Sequence, residues 1–106
     1  MRSNPHPYDR LTPDVIIAAV ESTGRVSDRR ILALNSYENR VYQVGMEQAQ
    51  PIIVKFYRPE RWSQAAIHEE HGFALELAAA EVPVVPPIVQ DGRTLFEYEN
   101  FSFALF

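Results

Sequence analysis

A chain of 106 residues with 46% apolar content, six Phe, five Tyr and one Trp carries material for one modest packed core and is too apolar for a disordered segment. Its formal charge of −4 and pI near 5.3 argue against a general nucleic-acid-binding surface, and the lack of cysteine removes disulfide and thiolate chemistry. No apolar run reaches the roughly 20 residues of a membrane helix, and the N-terminus has no signal-peptide core. These features predict a soluble cytoplasmic domain without nucleic-acid or membrane partners.

Residues 1–10, interrupted by Pro5 and Pro7, read as a flexible arm. Thr12 as N-cap, Pro13 at the first helical position and Asp14 in the first turn start a helix predicted over 13–23. Val15, Ile16, Ala19 and Val20 form its apolar stripe, and Gly24 suits its end. Two strands follow over 30–34 and 40–44, joined by the polar loop Asn35-Ser36-Tyr37-Glu38-Asn39, and then a turn over 45–50. A third strand over 52–57 places Ile53, Lys55 and Tyr57 on one face and Ile52, Val54 and Phe56 on the other.

A second helix is predicted over 63–80, where Gly72 costs about 1 kcal/mol relative to alanine. Ile67, Glu70, Ala74 and Leu77 fall on one helical face, with Glu69 about 100° away. The proline-rich stretch 82–87 leads into a hairpin of strands 88–90 and 93–97 around Asp91-Gly92. Glu99-Asn100 then turns the chain into a last strand over 101–106. This order of elements is an α+β layer.

Lys55 is the residue most in need of a partner. Alone, a strand lysine is equally well a surface charge or an edge-strand gatekeeper. Next to a glutamate on the apolar side of the following helix it becomes a point-charge clamp for phosphate oxygens, oriented by a carboxylate. Glu70 is that glutamate. The loop 35–39 has no glycine and by composition is an ordinary polar loop, although its Ser, Asn and backbone donors suit phosphate. His68-Glu69-Glu70-His71 does not follow the H-E-x-x-H order and offers no third protein ligand, so both histidines are expected to be solvent-facing polar groups. No nucleophile elbow and no interleaving of basic and aromatic residues is present.

Three stretches resemble one family: Leu34 to Val44, Val54 to Trp62, and Glu69 to Leu75. They resemble the bacterial stress response serine/threonine kinases of the aminoglycoside phosphotransferase and choline kinase-like group. The likeness runs from about Leu11 to Phe106 and covers only that family's N-terminal lobe. It implies a protein kinase-like lobe with a five-stranded antiparallel sheet, one crossing helix and an extra N-terminal helix, placed above an ATP cleft. On that basis Lys55 contacts the nucleotide phosphates, Glu70 is its helix partner with Glu69 as second choice, and Ser36, Asn35 and Asn39 belong to the phosphate-covering loop. Val41 and Ile53 would line the adenine pocket, Leu105 would stand near the gatekeeper, and Phe106 would enter the hinge.

The family's catalytic aspartate and its ligands for Mg2+ lie in a C-terminal lobe, so no catalytic or metal residue is expected here. The uncapped apolar run 101–106 is read as a cut inside a larger protein, with self-association through an uncovered apolar face as one consequence. The expectation is therefore the ATP-binding lobe of a kinase that phosphorylates protein Ser/Thr when complete and is inactive as this piece. The alternatives are the same lobe of a small-molecule phosphotransferase, or a non-catalytic module that pairs through its last strand.

Overall fold

The computed structural model describes residues 8–34, 39–59 and 62–106. Within them the chain forms α1 (Pro13–Glu21), β1 (Ser27–Leu34), β2 (Arg40–Met46), β3 (Ala49–Phe56), α2 (Gln64–Ala79), β4 (Phe96–Tyr98) and β5 (Phe101–Leu105). All five strands join one antiparallel sheet in the order β1-β2-β3-β5-β4. α2 crosses between β3 and the β4–β5 hairpin, so the α+β arrangement with an extra N-terminal helix is the one expected.

The two sheet faces differ because β3 alternates. Ile52, Val54 and Phe56 turn to one side and are buried there with Val44, Phe96, Phe101, Phe103 and Leu105 beneath Ile16, Ile17, Ala19 and Val20 of α1. Phe56 sits at the centre, with ring centroids 6.2 Å from Tyr42, 6.2 Å from Phe101 and 5.4 Å from Phe103. Such tilted and edge-on pairs add to simple area burial. The opposite face carries a smaller buried cluster of Tyr57, Ile67, Leu95 and Ala104, which α2 covers.

Local chemistry explains the boundaries. The Thr12 hydroxyl accepts from Val15 N at 3.3 Å, as an N-cap should. α1 stops two residues earlier than predicted because Ser22 and Thr23 donate back to the carbonyls of Ala19 and Val20, and Gly24 follows at φ 95°. β1 begins at Ser27 rather than Arg30, with an irregular register between Ser27 and Ile31 where Arg29 takes φ 68°. There the Asp28 carboxylate lies against Gly45, and a Cβ at Gly45 would overlap it. The predicted turn over 45–50 tightens to Glu47-Gln48, since Met46 already pairs with Ala49.

Two expectations are corrected. Of the flexible arm expected over 1–10, the described end is anchored: Tyr8 is buried, stacks on Phe101 and donates its hydroxyl to Phe56 O at 3.1 Å. Burial pushes that phenol up to about 12. The hairpin of 88–90 with 93–97 shrinks to a single bridge, Gln90 to Arg93, although its Asp91-Gly92 turn is present with both φ positive. Its first arm is drawn elsewhere, as Ile88 N donates to Leu105 O and the Gln90 side chain bonds Arg25 and the Thr23 carbonyl. The strand on the far side starts only at Phe96 and pairs with β5 across Glu99-Asn100, where φ is 48° and 70°.

Phe56→Ala should destabilise the chain by about 3–5 kcal/mol in urea denaturation, whereas Phe73→Ala on the outer face of α2 should stay within about 0.5 kcal/mol. Replacing Glu99-Asn100 by Asn-Gly, which prefers this turn geometry, should raise stability by about 0.5–1 kcal/mol in the same assay.

Candidate functional site

Register across the sheet sets out the face opposite α1. Val41 pairs with Lys55, Lys55 with Ala104, and Val41 with Leu34 on its other side, so Leu34, Val41, Lys55 and Ala104 form one row. A second row holds Leu32, Gln43 and Ile53, and Ile53 exchanges two backbone hydrogen bonds with Phe106 at 3.1 and 2.8 Å. Leu32 and Leu34 are exposed at 57% and 36%, which makes this face a solvent-open apolar shelf with the Lys55 ammonium at its side.

That cation is the chain's sole lysine; its other permanently basic side chains are all arginine. The Lys55 side chain is 27% exposed, its Nζ stands 5.0 Å from the Tyr57 ring centroid, and Glu70 Oε1 approaches it at 3.8 Å. The predicted pairing of strand lysine and helix glutamate is therefore present. Glu70 itself is 52% exposed, so the contact is worth no more than about 0–1 kcal/mol of stability. It flanks the buried stripe of α2 rather than lying in it, because the buried positions of that helix are Ile67 and His71. Glu69 faces solvent.

Leu105 does not join this site. It pairs with Val54 and is fully buried on the α1 side, while Ala104, one residue earlier, shares the Lys55 face. Counting along an isolated strand could not fix that parity; pairing to β3 does. Asn39 is placed at the start of β2, where its side-chain oxygen accepts from Arg58 N at 3.1 Å and ties this loop end to the exit of β3. Asn35 and Ser36 lie outside the described residues. Leu32 and Leu34 were not anticipated as site residues, and their alternation with Ile31 and Ala33 was the available signal.

His68 is exposed as expected, but His71 is not solvent-facing. It is 2% exposed, its Nε2 lies 2.8 Å from the Tyr57 hydroxyl and its Nδ1 lies 2.7 Å from Thr94 Oγ1. A neutral imidazole has one donor and one acceptor nitrogen, so both hydroxyls can be satisfied at once. Burial lowers the His71 pKa below its ordinary value against the raising pull of Glu70, with His68 and Lys55 adding to the lowering. Burial, reinforced by the charge of Glu70, raises the Tyr57 phenol well beyond the usual tyrosine range. Among the described residues no group of three or more His, Asp or Glu is arranged to hold a metal ion, and no helix is long and apolar enough to cross a membrane.

A lone primary ammonium with a carboxylate to orient it, beside an open apolar shelf, suits an anion attached to a flat apolar ring. Residues 30–106 match the phosphotransferase enzyme family known as APH, and the chain belongs to that family, whose fold is kinase-like. It is 45% identical over all its 106 residues to the serine/threonine protein kinase RdoA of Salmonella typhimurium, and equally so to stress response kinase A of Shigella flexneri and of Escherichia coli. In each case the match covers 100% of this chain and 32% of the relative, so the chain spans about a third of their length.

Because burial lowers the His71 pKa, the unfolded chain takes up a proton as pH falls through the ordinary imidazole value of 6.5 before the folded chain does. Stability contributed by this site is thus complete above that pH and declines below it. The His71 ring should titrate in NMR with a midpoint under 6.5, and the thermal midpoint should fall with decreasing pH less steeply in His71→Gln. A ring titrating at or above 6.5 would mean that burial does not dominate the charge of Glu70 at this imidazole.

Proposed function

We propose that this chain is the ATP-binding lobe of a cytoplasmic serine/threonine protein kinase of the stress-response type, active when the remainder of such an enzyme is present. Lys55 clamps the nucleotide phosphates, Glu70 orients Lys55, and Asn35, Ser36 and Asn39 contribute to the loop over the phosphates. Leu34, Val41 and Ile53 form the apolar roof for the adenine ring, and Ala104 takes the place expected for Leu105. The observation that carries this reading is the 3.8 Å approach of Glu70 to the only lysine of the chain, on the face that also presents the apolar shelf.

The chemistry of the donors agrees. The site offers an ammonium rather than a set of oxygen ligands, so it suits phosphate oxygens and leaves Mg2+ to carboxylates elsewhere. Lysine is well adapted to this as a compact point charge. The base that accepts the hydroxyl proton would also come from outside these residues, so the 106-residue chain alone transfers no phosphoryl group. The 45% identity with a relative named as a serine/threonine protein kinase favours a protein acceptor over a small molecule.

In a full-length kinase carrying this segment, Lys55→Ala should lower autophosphorylation by about 10²–10³-fold, the scale of losing one preorganised charge contact. Glu70→Gln should reduce it less, because the lysine remains. Undiminished activity in Lys55→Ala would remove Lys55 from the phosphate site. Tight Mg-ATP binding by residues 1–106 in isothermal titration would contradict the assignment of half the cleft to other residues.

A further inference from the structure

We propose that Tyr57, His71 and Thr94 form a positioning latch that sets the rotation of α2 and thereby decides which carboxylate meets Lys55. The inference rests on the reading of Lys55 and Glu70 as the working pair, but it concerns how that pair is assembled. α2 buries only Ile67 and His71, which lie one turn apart on the same face. Ile67 is an apolar contact within a small cluster, and apolar contact is not directional. His71 is different, because its two ring nitrogens are engaged from opposite sides.

The Tyr57 hydroxyl, 2.8 Å from Nε2, comes from the exit of β3, and Thr94 Oγ1, 2.7 Å from Nδ1, comes from the chain just before β4. Hydrogen bonds are directional, so a helix held at both nitrogens of one side chain cannot turn without breaking at least one of them in a buried place. Glu70 precedes His71 and therefore inherits its angular position from it. The exposed ion pair is too weak to hold the helix by itself. A rotation of about 100° would exchange Glu70 for Glu69. The same side chains link the latch to the site directly, since the ring under Lys55 Nζ at 5.0 Å belongs to Tyr57.

A zero-length carbodiimide cross-link tests this on the full chain without nucleotide. Lys55 is the only side-chain amine, so amides from it to Glu70 and to Glu69 can be quantified separately by mass spectrometry. The unaltered chain should give the Glu70 product in clear excess. Tyr57→Phe and Thr94→Val, each removing one hydroxyl at nearly constant shape, should shift the Glu70-to-Glu69 ratio severalfold toward Glu69. Phe101→Leu, which loosens the other face of the sheet, should lower total yield at most and leave the ratio unchanged. An unchanged ratio in both hydroxyl variants, or an equal shift in Phe101→Leu, overturns the latch and leaves the ion pair standing. Failure of the unaltered chain to form the Lys55–Glu70 amide overturns the pair itself, and with it both the latch and the proposed phosphate site.

Discussion

The alternation of β3 is the constraint on which the rest depends. Val54 and Phe56 are fully buried, and so are Phe103 and Leu105, which pair with them from β5. Burying side chains of this size is worth about 1.5–3 kcal/mol each. With period-two geometry, fixing Val54 and Phe56 inward forces Ile53, Lys55 and Tyr57 to the opposite face. A slip of one residue would expose two core side chains and bury the ammonium, so register and charge placement are one decision. The lysine is thus located by the core behind it; an ion pair of about 0–1 kcal/mol could not have located it.

The two faces are built with unequal strength. On one, α1, Tyr8 and the aromatic cluster around Phe56 make a continuous core. On the other, α2 contributes little apolar surface and is oriented mainly by a buried hydrogen-bonded histidine. A helix held this way keeps its angle only while those buried hydrogen bonds last, whereas the sheet stays intact without them. The rigid element therefore carries Lys55 and the more loosely held element carries Glu70.

Much of this was legible from local chemistry. The N-cap at Thr12, the face of Lys55, the helix supplying Glu70 and the turn at Glu99-Asn100 follow from capping, period-two alternation and turn propensity. What escaped was non-local. The depth of Tyr8 depends on Phe101 and Phe56, more than forty residues away. The side chosen by Leu105 depends on its pairing with Val54. The role of His71 depends on Tyr57 and Thr94, which join it only after α2 has crossed the sheet. In the sequence it was one polar residue in a charged helical stretch, and burial of a histidine leaves no mark in a helical pattern when its partners lie on other elements. The predicted hairpin of 88–90 with 93–97 shrank to one bridge for a related reason, since Ile88 and Gln90 found better partners at Leu105, Arg25 and Thr23.

The choice of lysine at position 55 is itself informative in a chain that otherwise uses arginine. An arginine fork would prefer to engage a carboxylate bidentately and would satisfy itself on Glu70. A lysine holds one carboxylate oxygen loosely, at 3.8 Å, and keeps donors available for a second anion. The adjacent Tyr57 ring reinforces this, because a π-face attracts the ammonium without using up any of its N–H groups. The charge is therefore oriented but not neutralised in a closed contact, as an anion-receiving group should be. Binding a divalent cation would need several converging oxygens, and among the described residues this face of the sheet presents mainly apolar side chains around one amine.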